Sequence, residues 1–405
     1  MSEKPDLLFI AHRIPYPPDK GDKIRSHYML RHLCERYRVT LACLIDDPAD
    51  EQHIVALNQR VHRLFYQVRT PGQMKPYALW ALLTGRAFTP LCFHSRQLQR
   101  QIDAFLDQNK VKAVVCFCSS AAAYVFRSRH RAELQKTVLL ADLVDVDSEK
   151  WREYADKHSG PLSWLYRRES RKLLPYEQRI IAEFDRTFLV SEEEKAVLAR
   201  HGSVQKVEAL SNGVNLEYFW PLGSGAETED LAVPRLLFTG AMDYWPNIEA
   251  VLWFARDVFP QVRQVYPQAV FCIAGRHPAL AVLELKRQPG IEVTGTVQDM
   301  RRHLASATLC VVPLRIARGI QNKVLEGMAM QKTVVATRGA ATGLKARAGE
   351  DLVVVDEAEE MAQAIIDLLA DAERRRRIGR NARAYVEREH SWEKHLKRLD
   401  ALIDG

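Results

Sequence analysis

The chain has 405 residues, of which 47% are hydrophobic and 27% charged, and its formal net charge is +7. This length and composition predict a globular protein with two domains of ordinary size, each with its own core. Basic and acidic residues are interspersed, which argues against a dedicated nucleic-acid-binding protein. The seven cysteines form no CxxC pair, so they are expected to be reduced, buried thiols of a cytosolic protein.

The amino terminus reads MSEKPDLLFIAH, with acidic residues before a very short apolar run. This pattern predicts neither a signal peptide nor a transit peptide. The nearest candidate for a membrane-spanning helix begins at Val111, but Lys112 and two serines interrupt it. It is also shorter than the roughly 20 apolar residues that a bilayer requires. The expected location is therefore the cytoplasm.

The first half of the chain alternates short apolar runs with longer segments of helical period. The predicted buried strands are residues 6–12, 38–45, 112–120, 136–145, 185–191 and 206–214. Such alternation is typical of a parallel sheet covered by helices on both faces. Residues 1–219 are therefore predicted to form a Rossmann-like α/β domain.

The loop after the first strand reads HRIPYPPDKGDKIRSHY. Its three prolines are expected to stiffen it, and Gly21 to permit a tight turn where the next helix begins. His12, at the end of the strand, is a candidate for lining a cleft. The alternative is a rigid turn that merely closes the sheet, with His12 in a structural role.

Three acidic residues, Asp142, Asp145 and Asp147, lie close together at the end of a predicted strand. The segment lacks the glycine-containing, oxygen-rich loop of a calcium site, so no metal site is predicted. Asp147 and Ser148 are expected to cap the helix that follows. Asp145 is the candidate for contact with an acceptor, because it lies at the carboxyl edge of the strand.

The segment SWLYRRESRKLLPYE, residues 163–177, mixes aromatic and leucine residues with four basic ones. A helix of this composition can lie on an anionic membrane surface. The alternative is a helix that packs on the core and has a solvated basic face.

The second half of the chain repeats the alternation. Residues 220–234 are rich in Gly, Pro, Ser and acidic residues, as expected of a linker. The predicted strands that follow are residues 235–240, 269–275, 291–297, 308–314, 333–338 and 351–356. Residues 220–390 are therefore predicted to form a second doubly wound domain. Two such domains in tandem are expected to face each other across a cleft.

Residues 317–337, ARGIQNKVLEGMAMQKTVVAT, pass from a basic loop into a helix expected to begin near Gln321. The free amides and the dipole at its start favour an anion, and Gly319 allows close approach of the backbone. Lys323 adds a full charge, and Glu326 can accept hydrogen bonds from hydroxyl groups. The pattern predicts a site for a diphosphate attached to a sugar-like diol. The alternative is an ordinary i, i+3 surface pair.

Several segments together resemble the retaining glycosyltransferases of family 4, which have the GT-B fold. In the second half they are LSNGVNLEYFWP, LLFTGAMDYWPNIEAVLWF, FCIAGRHP, VTGTVQDMRRHLASATLCVVPL and GIQNKVLEGMAMQKTVVAT. In the first half, LLFIAHRIPYPPDKGDKIRSHYMLRHL, DLVDVDSEKWREYA and WLYRRESRKLLPYE are similar to sugar transferases associated with exosortase A (PEP-CTERM) exopolysaccharide loci. The resemblance implies two Rossmann-like domains, with a helix at residues 391–405 that packs back on the N-terminal domain.

The resemblance also implies roles for single residues. Family members carry two glutamates separated by seven residues, and the second corresponds to Glu326, with ribose binding as its implied role. The first falls on Arg318, so sugar recognition does not carry over there. The Arg and Lys that usually neutralise the diphosphate fall on Ala241 and Pro246. Lys323 is therefore the first candidate for compensating the diphosphate charge.

The complete set of candidates is as follows. Catalytic roles are expected for Lys323, Glu326, His12 and Asp145. Donor binding is expected for Lys20, Gly21, Gly240, Arg276, Arg315, Arg318, Gly319, Ile320, Gln321, Asn322, Lys323 and Glu326, with Asp22 as a further site candidate.

The implied activity is metal-independent transfer of a hexosyl group, with retention of configuration, from a UDP- or GDP-linked donor to a lipid-linked saccharide. No cofactor and no nucleic-acid partner is expected. Peripheral contact with the cytoplasmic membrane through residues 163–177 would suit such an acceptor. Two alternatives stay open: a nucleotide-sugar epimerase on the same fold, and an inactive glycosyltransferase-like partner protein. No GxGxxG motif follows the first strand of either domain, which argues against a dinucleotide oxidoreductase.

Overall fold

The structure, a computed structural model, describes residues 4–221, 233–317 and 319–405. The chain forms two compact units, which we call the N-terminal unit (Met1–Ser211 with Leu396–Gly405) and the C-terminal unit (Asn212–His395). The division lies eight residues before the predicted boundary at 219/220, because Asn212 and Val214 hydrogen-bond with His390 of the C-terminal unit. Most of the predicted linker, residues 222–232, lies outside the described residues.

The N-terminal unit is built on a parallel sheet. Its strands among the described residues are β1 Asp6–Ala11, β2 Arg38–Ile45, β3 Arg63–Val68, β4 Ala113–Phe117, β5 Val138–Val144, β6 Arg186–Leu189 and β7 Val207–Ala209. Their order in the sheet is β3-β2-β1-β4-β5-β6-β7. All six strands predicted for this half are present. The chain reverses its direction across the sheet between β1 and β4, where doubly wound sheets form their ligand crevice.

The sequence does not predict β3. Its residues, RLFYQV, form the edge of the sheet and are partly exposed along the strand. An edge strand is covered on fewer sides than a central one, so it does not need a continuous apolar run. The central strand β4, AVVCF, is buried at every position and is recognised easily for that reason.

Helices cover both faces of this sheet. They are α1 Gly21–Arg36, α2 Ile54–Asn58, α3 Pro71–Leu83, α4 Thr89–Cys92, α5 Arg96–Gln108, α6 Ala122–Phe126, α7 Arg131–Leu134, α8 Asp147–Asp156, α9 Gly160–Glu183 and α10 Glu192–Ala199. Short 3-10 helices occupy Pro48–His53 and Ser119–Ala121. The core beneath them is formed by Leu8, Val114, Ile102, Ile180 and their neighbours, all almost fully buried.

A buried ion pair joins helix α1 to the centre of the sheet. The Arg25 guanidinium donates to both carboxylate oxygens of Asp142, at 2.7 and 3.1 Å. Both side chains are almost completely excluded from water. Asp142 is therefore committed to positioning α1 and is not available as a ligand.

The C-terminal unit repeats the architecture. Its strands are β8 Arg235–Thr239, β9 Val270–Ala274, β10 Ile291–Gly295, β11 Leu309–Val312, β12 Val334–Ala336 and β13 Val353–Val354, in the order β10-β9-β8-β11-β12-β13. Each was predicted. Its helices are α11 Trp245–Trp253, α12 Phe259–Val265, α13 Leu280–Glu284, α14 Met300–Ser306, α15 Asn322–Ala329, α16 Ala358–Ala370 and α17 Ala372–Glu389. A π-helix, Phe254–Val258, joins α11 to α12, and a 3-10 helix occupies Leu285–Arg287.

Most of the last helix, α18 Trp392–Asp404, belongs to the N-terminal unit. Asp400 accepts a hydrogen bond from the His32 imidazole at 3.0 Å. Asp404 accepts from Lys112 at 2.6 Å and from Tyr37 at 3.0 Å. The N-terminal unit therefore needs the C-terminal end of the chain for its completion.

Candidate active site

Two glycine-containing loops meet at the carboxyl edge of the C-terminal sheet. Gly240 follows β8 and Gly275 follows β9, and the Gly240 amide donates to the Ala274 carbonyl at 3.0 Å. A Cβ atom on Gly275 would lie 1.6 Å from the Gly240 carbonyl oxygen. Only glycine permits the two backbones to come this close. The two glycines thereby add no side chain of their own to the edge where the predicted donor site begins.

Lys323 extends from the first turn of α15 to this edge. Its ammonium donates to the Asn247 Oδ1 atom at 2.6 Å and lies 4.3 Å from the centre of the Phe238 ring. It is also 3.0 Å from the position that a Cβ atom on Gly240 would occupy. Glycine at position 240 therefore leaves room for the ammonium.

Asn247, in the first turns of α11, was not among the predicted site residues. Its amide nitrogen donates to the Ala241 carbonyl at 2.8 Å, while its amide oxygen accepts from Lys323. The side chain is 5% exposed, so its orientation is fixed by these two bonds. The sequence signal was available in the segment WPNIEAV, where a polar residue in the first turn of a helix follows Pro246.

Lys323 and Glu326 do not form an ion pair with each other. Among the described residues, no carboxylate lies within 4.0 Å of the Lys323 ammonium. The ion pair given as the alternative is therefore not formed at close range. A cation in the first turn of a helix adds to the positive end of the helix dipole, which is unfavourable unless an anion binds.

Burial changes the protonation of both groups. Loss of hydration lowers the pKa of the Lys323 ammonium to about 7, and the charge of Glu326 opposes this shift. Loss of hydration likewise raises the pKa of the Glu326 carboxyl to about 7, and Lys323 opposes that shift. Each group is poised to gain its full charge when a ligand supplies a polar partner.

The segment that leads into α15 contains Gly319 and residues 320–322. Gly319 has φ +60°, a left-handed conformation that favours glycine, and its carbonyl accepts from the Gln321 side chain at 3.3 Å. Ile320 is buried and anchors the loop. Gln321 is the N-cap residue, and the Asn322 side chain accepts from Asn212 at 3.1 Å. The side chains of Ile320, Gln321 and Asn322 are thus held by the protein.

The three arginines predicted as helpers differ in position. Arg276 is half-buried in the loop after β9, beside Gly275, and its backbone carbonyl accepts from Met242 at 2.8 Å. Arg315 points to α11, where it contacts Glu249 at 3.4 Å and lies 5.7 Å from the Trp253 ring. The structure therefore gives Arg315 a different partner from the Lys323 cluster. Arg318 lies outside the described residues.

In the N-terminal unit, His12 and Asp22 lie together at the carboxyl edge of the sheet. The His12 Nε2 atom is 3.4 Å from Asp22 Oδ2, and Arg13 donates to the same oxygen at 3.0 Å. Burial favours the protonated carboxyl, but His12 and Arg13 outweigh it and hold the pKa of Asp22 well below its usual range. The first turn of α1 thus carries a negative charge beside His12.

The predicted loop residues Lys20 and Gly21 lie at the start of α1. Lys20 is its N-cap residue and Gly21 its first helical residue. Gly21 does not have a positive φ, so its position at the start of α1 does not require a backbone conformation that favours glycine. Both are close in sequence to Asp22, and they lie at the same edge of the sheet as His12.

The acidic segment after β5 does not converge on one point. Asp142 binds Arg25, and Asp147 accepts from Ser119 at 2.9 Å. Asp147 and Ser148 do not cap α8 as predicted: the N-cap residue is Val146, and the Ser148 amide donates to Glu177 of α9 at 3.1 Å. The physical reason is that the Glu177 carboxylate of the neighbouring helix α9 accepts the hydrogen bond at this helix end. Asp145 stays at the carboxyl edge of the sheet, partly exposed.

Comparisons with known proteins show which proteins this chain resembles. Residues 233–371 match the family model described as glycosyl transferases group 1. A GDP-mannose-dependent monoacylated α-(1-6)-phosphatidylinositol monomannoside mannosyltransferase from Corynebacterium glutamicum is 27% identical over 272 residues. That alignment spans 62% of this chain and 69% of the relative.

Solved structures show the same fold over nearly the whole chain. A sucrose-phosphate synthase from Thermosynechococcus elongatus has a TM-score of 0.74 at 17% identity, covering 98% of both chains. HepE from Anabaena, in complex with UDP and glucose, has a TM-score of 0.66 at 13% identity, covering 99% of both chains. The chain therefore has the GT-B fold of glycosyltransferases, and its C-terminal unit carries the match to glycosyl transferases group 1.

Proposed function

We propose that the protein is a retaining glycosyltransferase that moves a hexosyl group from a nucleotide-diphosphate sugar to a lipid-linked saccharide. The observation that carries the proposal is the Lys323 ammonium. It lies between Asn247 and the carboxyl end of β8, in the first turn of α15. This is the arrangement of charge and backbone that binds a diphosphate.

The chemistry follows from where charge develops. Breaking the bond between the sugar and the diphosphate leaves negative charge on the leaving oxygen, and a fixed cation and helix amides stabilise it. Glu326, one turn along α15, is assigned to the ribose hydroxyls. The leaving phosphate would help to deprotonate the acceptor, so the proposal requires neither a protein nucleophile nor a metal ion.

The acceptor and the biological setting are parts of the same proposal. The mannosyltransferase relative acts, by its name, on a phosphatidylinositol monomannoside, which is a lipid-linked saccharide. The N-terminal half resembles sugar transferases of exosortase-associated exopolysaccharide loci. We therefore assign Asp145 to the acceptor side, and the protein to exopolysaccharide assembly at the cytoplasmic face of the membrane.

A ligand screen tests this function. UDP and GDP, followed by a panel of their sugars, should raise the melting temperature of the protein, and Glu326→Ala should abolish the shift. Transfer of sugar from the stabilising donor to a lipid-linked acceptor would then establish the activity.

The same screen separates the alternatives. Release of an epimerised nucleotide sugar without acceptor would replace the proposal with an epimerase. Absence of any shift would favour an inactive partner, an alternative that Arg318 in place of the first family glutamate and Ala241 and Pro246 in place of the usual cations keep open.

A further inference from the structure

Charge is distributed very unevenly along the N-terminal unit. Residues 52–102 contain no Asp or Glu. The same stretch contains seven cations, namely Arg60, Arg63, Arg69, Lys75, Arg86, Arg96 and Arg100. This part of the chain is therefore strongly positive, and it contains helix α3.

Helix α3 exposes apolar side chains in a way that a water-soluble surface does not explain. Leu79 is 61% exposed, Trp80 46% and Leu83 78%, and Tyr77 and Leu82 are also exposed. Ala81 is the fully buried residue of its last turn. A helix with apolar residues on most sides normally lies inside a protein or against a partner.

Helix α9 adds to the same region. The Arg168 guanidinium donates to the carbonyls of Ala81 and Arg86, at 2.7 and 3.1 Å, so the end of α3 lies beside the first half of α9. There Leu162 and Trp164 are exposed. We call the exposed residues of Pro71–Leu83 and Gly160–Lys172, together with Arg86, the α3–α9 surface.

The basic residues of α9 frame this apolar area. Arg171 and Lys172 are exposed, as is Arg86, whose guanidinium lies 5.5 Å from the Trp80 ring. The acid within this part of α9, Glu169, is fully buried and accepts hydrogen bonds from Phe88 and Thr89. Arg167 of α9 is paired with the exposed Asp156 of α8, so Arg171, Lys172 and Arg86 supply the exposed positive charge.

Only part of the predicted segment 163–177 belongs to this surface. Leu173 and Glu177 are buried, so this face of α9 packs on the core. Most of the exposed large apolar side chains of the α3–α9 surface belong to α3, for which the sequence predicts no membrane contact. The apolar residues of α3 follow no amphipathic period. They are therefore found on several sides of the helix.

We propose that the α3–α9 surface docks on an anionic phospholipid bilayer. The charge complements anionic headgroups, and tryptophan and leucine beside arginine suit the boundary between headgroups and acyl chains. In the described part of the chain, no helix has the length and apolarity to cross a bilayer. The proposed contact is with the surface of the membrane. The inference rests on the proposed function only in naming the reason for docking, which is access to a lipid-linked acceptor.

Vesicle cosedimentation tests the proposal with the full chain. The protein should bind phosphatidylcholine vesicles that contain phosphatidylglycerol, and bind pure phosphatidylcholine vesicles weakly. The triple variant Leu79→Ser, Trp80→Ser, Leu83→Ser should lose at least about tenfold in partition. Replacing Arg171 and Lys172 by Gln should cost roughly fivefold per cation, on anionic vesicles only. Leu280→Ser, at a residue 73% exposed on the C-terminal unit, is the matched control and should bind normally.

Two outcomes overturn the proposal. One is the absence of binding to anionic vesicles at low salt, or binding that the triple variant retains. The other is a concentration-dependent dimer that the triple variant abolishes, which would assign the surface to a second copy of the chain. Unchanged circular dichroism and an unchanged thermal shift with nucleotide show that the variants are folded. They also keep a failure of docking separate from a failure of the donor-site proposal.

Discussion

Single residues determine how the candidate donor site holds its charge, and Asn247 tests this most simply. Asn247→Ala removes the acceptor that fixes the Lys323 ammonium, so nucleoside diphosphate binding should weaken by about tenfold. Titration calorimetry measures the change. Asn215→Ala, at a partly exposed asparagine away from the cluster, is the control. If Asn247→Ala bound nucleotide as the unmodified protein does, Asn247 would have no positioning role.

The protonation of Lys323 and Glu326 predicts how nucleotide affinity depends on pH. Both groups have a pKa of about 7. Above pH 7, Lys323 loses its proton and the diphosphate loses a cation; below pH 7, Glu326 gains one and loses its ability to accept from two hydroxyls. Affinity should therefore be greatest near pH 7 and fall on both sides.

Matched variants separate the two limbs of that profile. Lys323→Arg keeps its charge at all these pH values, so the alkaline decline should disappear. Glu326→Gln cannot ionise, so its contribution to the acidic decline should disappear while the overall affinity is lower. A profile that neither substitution changes would show that other groups control binding.

The candidate donor site was predictable from the sequence as far as it is local. Gly319, Lys323 and Glu326 lie within eight residues, and the start of a helix fixes their geometry. Asn247 lies 76 residues from Lys323 and is neutral, so neither spacing nor charge connects them. Only the pairing of β8 with β11 in one sheet brings α11 and α15 together.

At the scale of elements, the contact between α1 and β5 depends on one buried ion pair. Asp142→Asn should leave the Arg25 guanidinium buried without a counter-charge and cost about 3–5 kcal/mol in the free energy of unfolding. Denaturant unfolding measures this. Asp156→Asn, at the exposed ion pair with Arg167, is the control and should cost less than about 1 kcal/mol. Equal losses from the two substitutions would contradict the account.

Strands were more predictable than helices because burial leaves a stronger pattern. Continuous apolar runs predicted twelve strands, and β3 was not predicted because it is a partly exposed edge strand. Helix α3 escaped for the opposite reason: its apolar run suggests burial, but the helix is exposed. The hydrogen bond at the start of α8 was not predicted because its acceptor, Glu177, lies on another helix.

At the scale of the whole molecule, the N-terminal unit is completed by the end of the chain. Leu396, Leu399 and Ile403 of α18 are buried, and Asp400 bonds to His32. Removal of residues 396–405 should lower the free energy of unfolding of this unit by roughly 1.5–3 kcal/mol for each buried side chain. Calorimetric melting measures the loss. Removal of Gly405 alone is the control, and a truncated protein that melts normally would show that α18 is not part of the unit.

The match to the glycosyltransferase family model does not cover the two units equally. The family match lies in the C-terminal unit, which also contains the candidate donor site. The acceptor side rests on residues whose positions are set by the N-terminal sheet, and it stays a prediction. A test of the donor site is therefore the most direct test of the proposed function.

That test is titration calorimetry of UDP and GDP, at pH 7, against the unmodified protein and Lys323→Gln. The account predicts that at least one of the nucleotides binds to the unmodified protein, and that the substitution weakens binding at least about tenfold. Failure of both nucleotides to bind, or equal affinity of the two proteins, would contradict it.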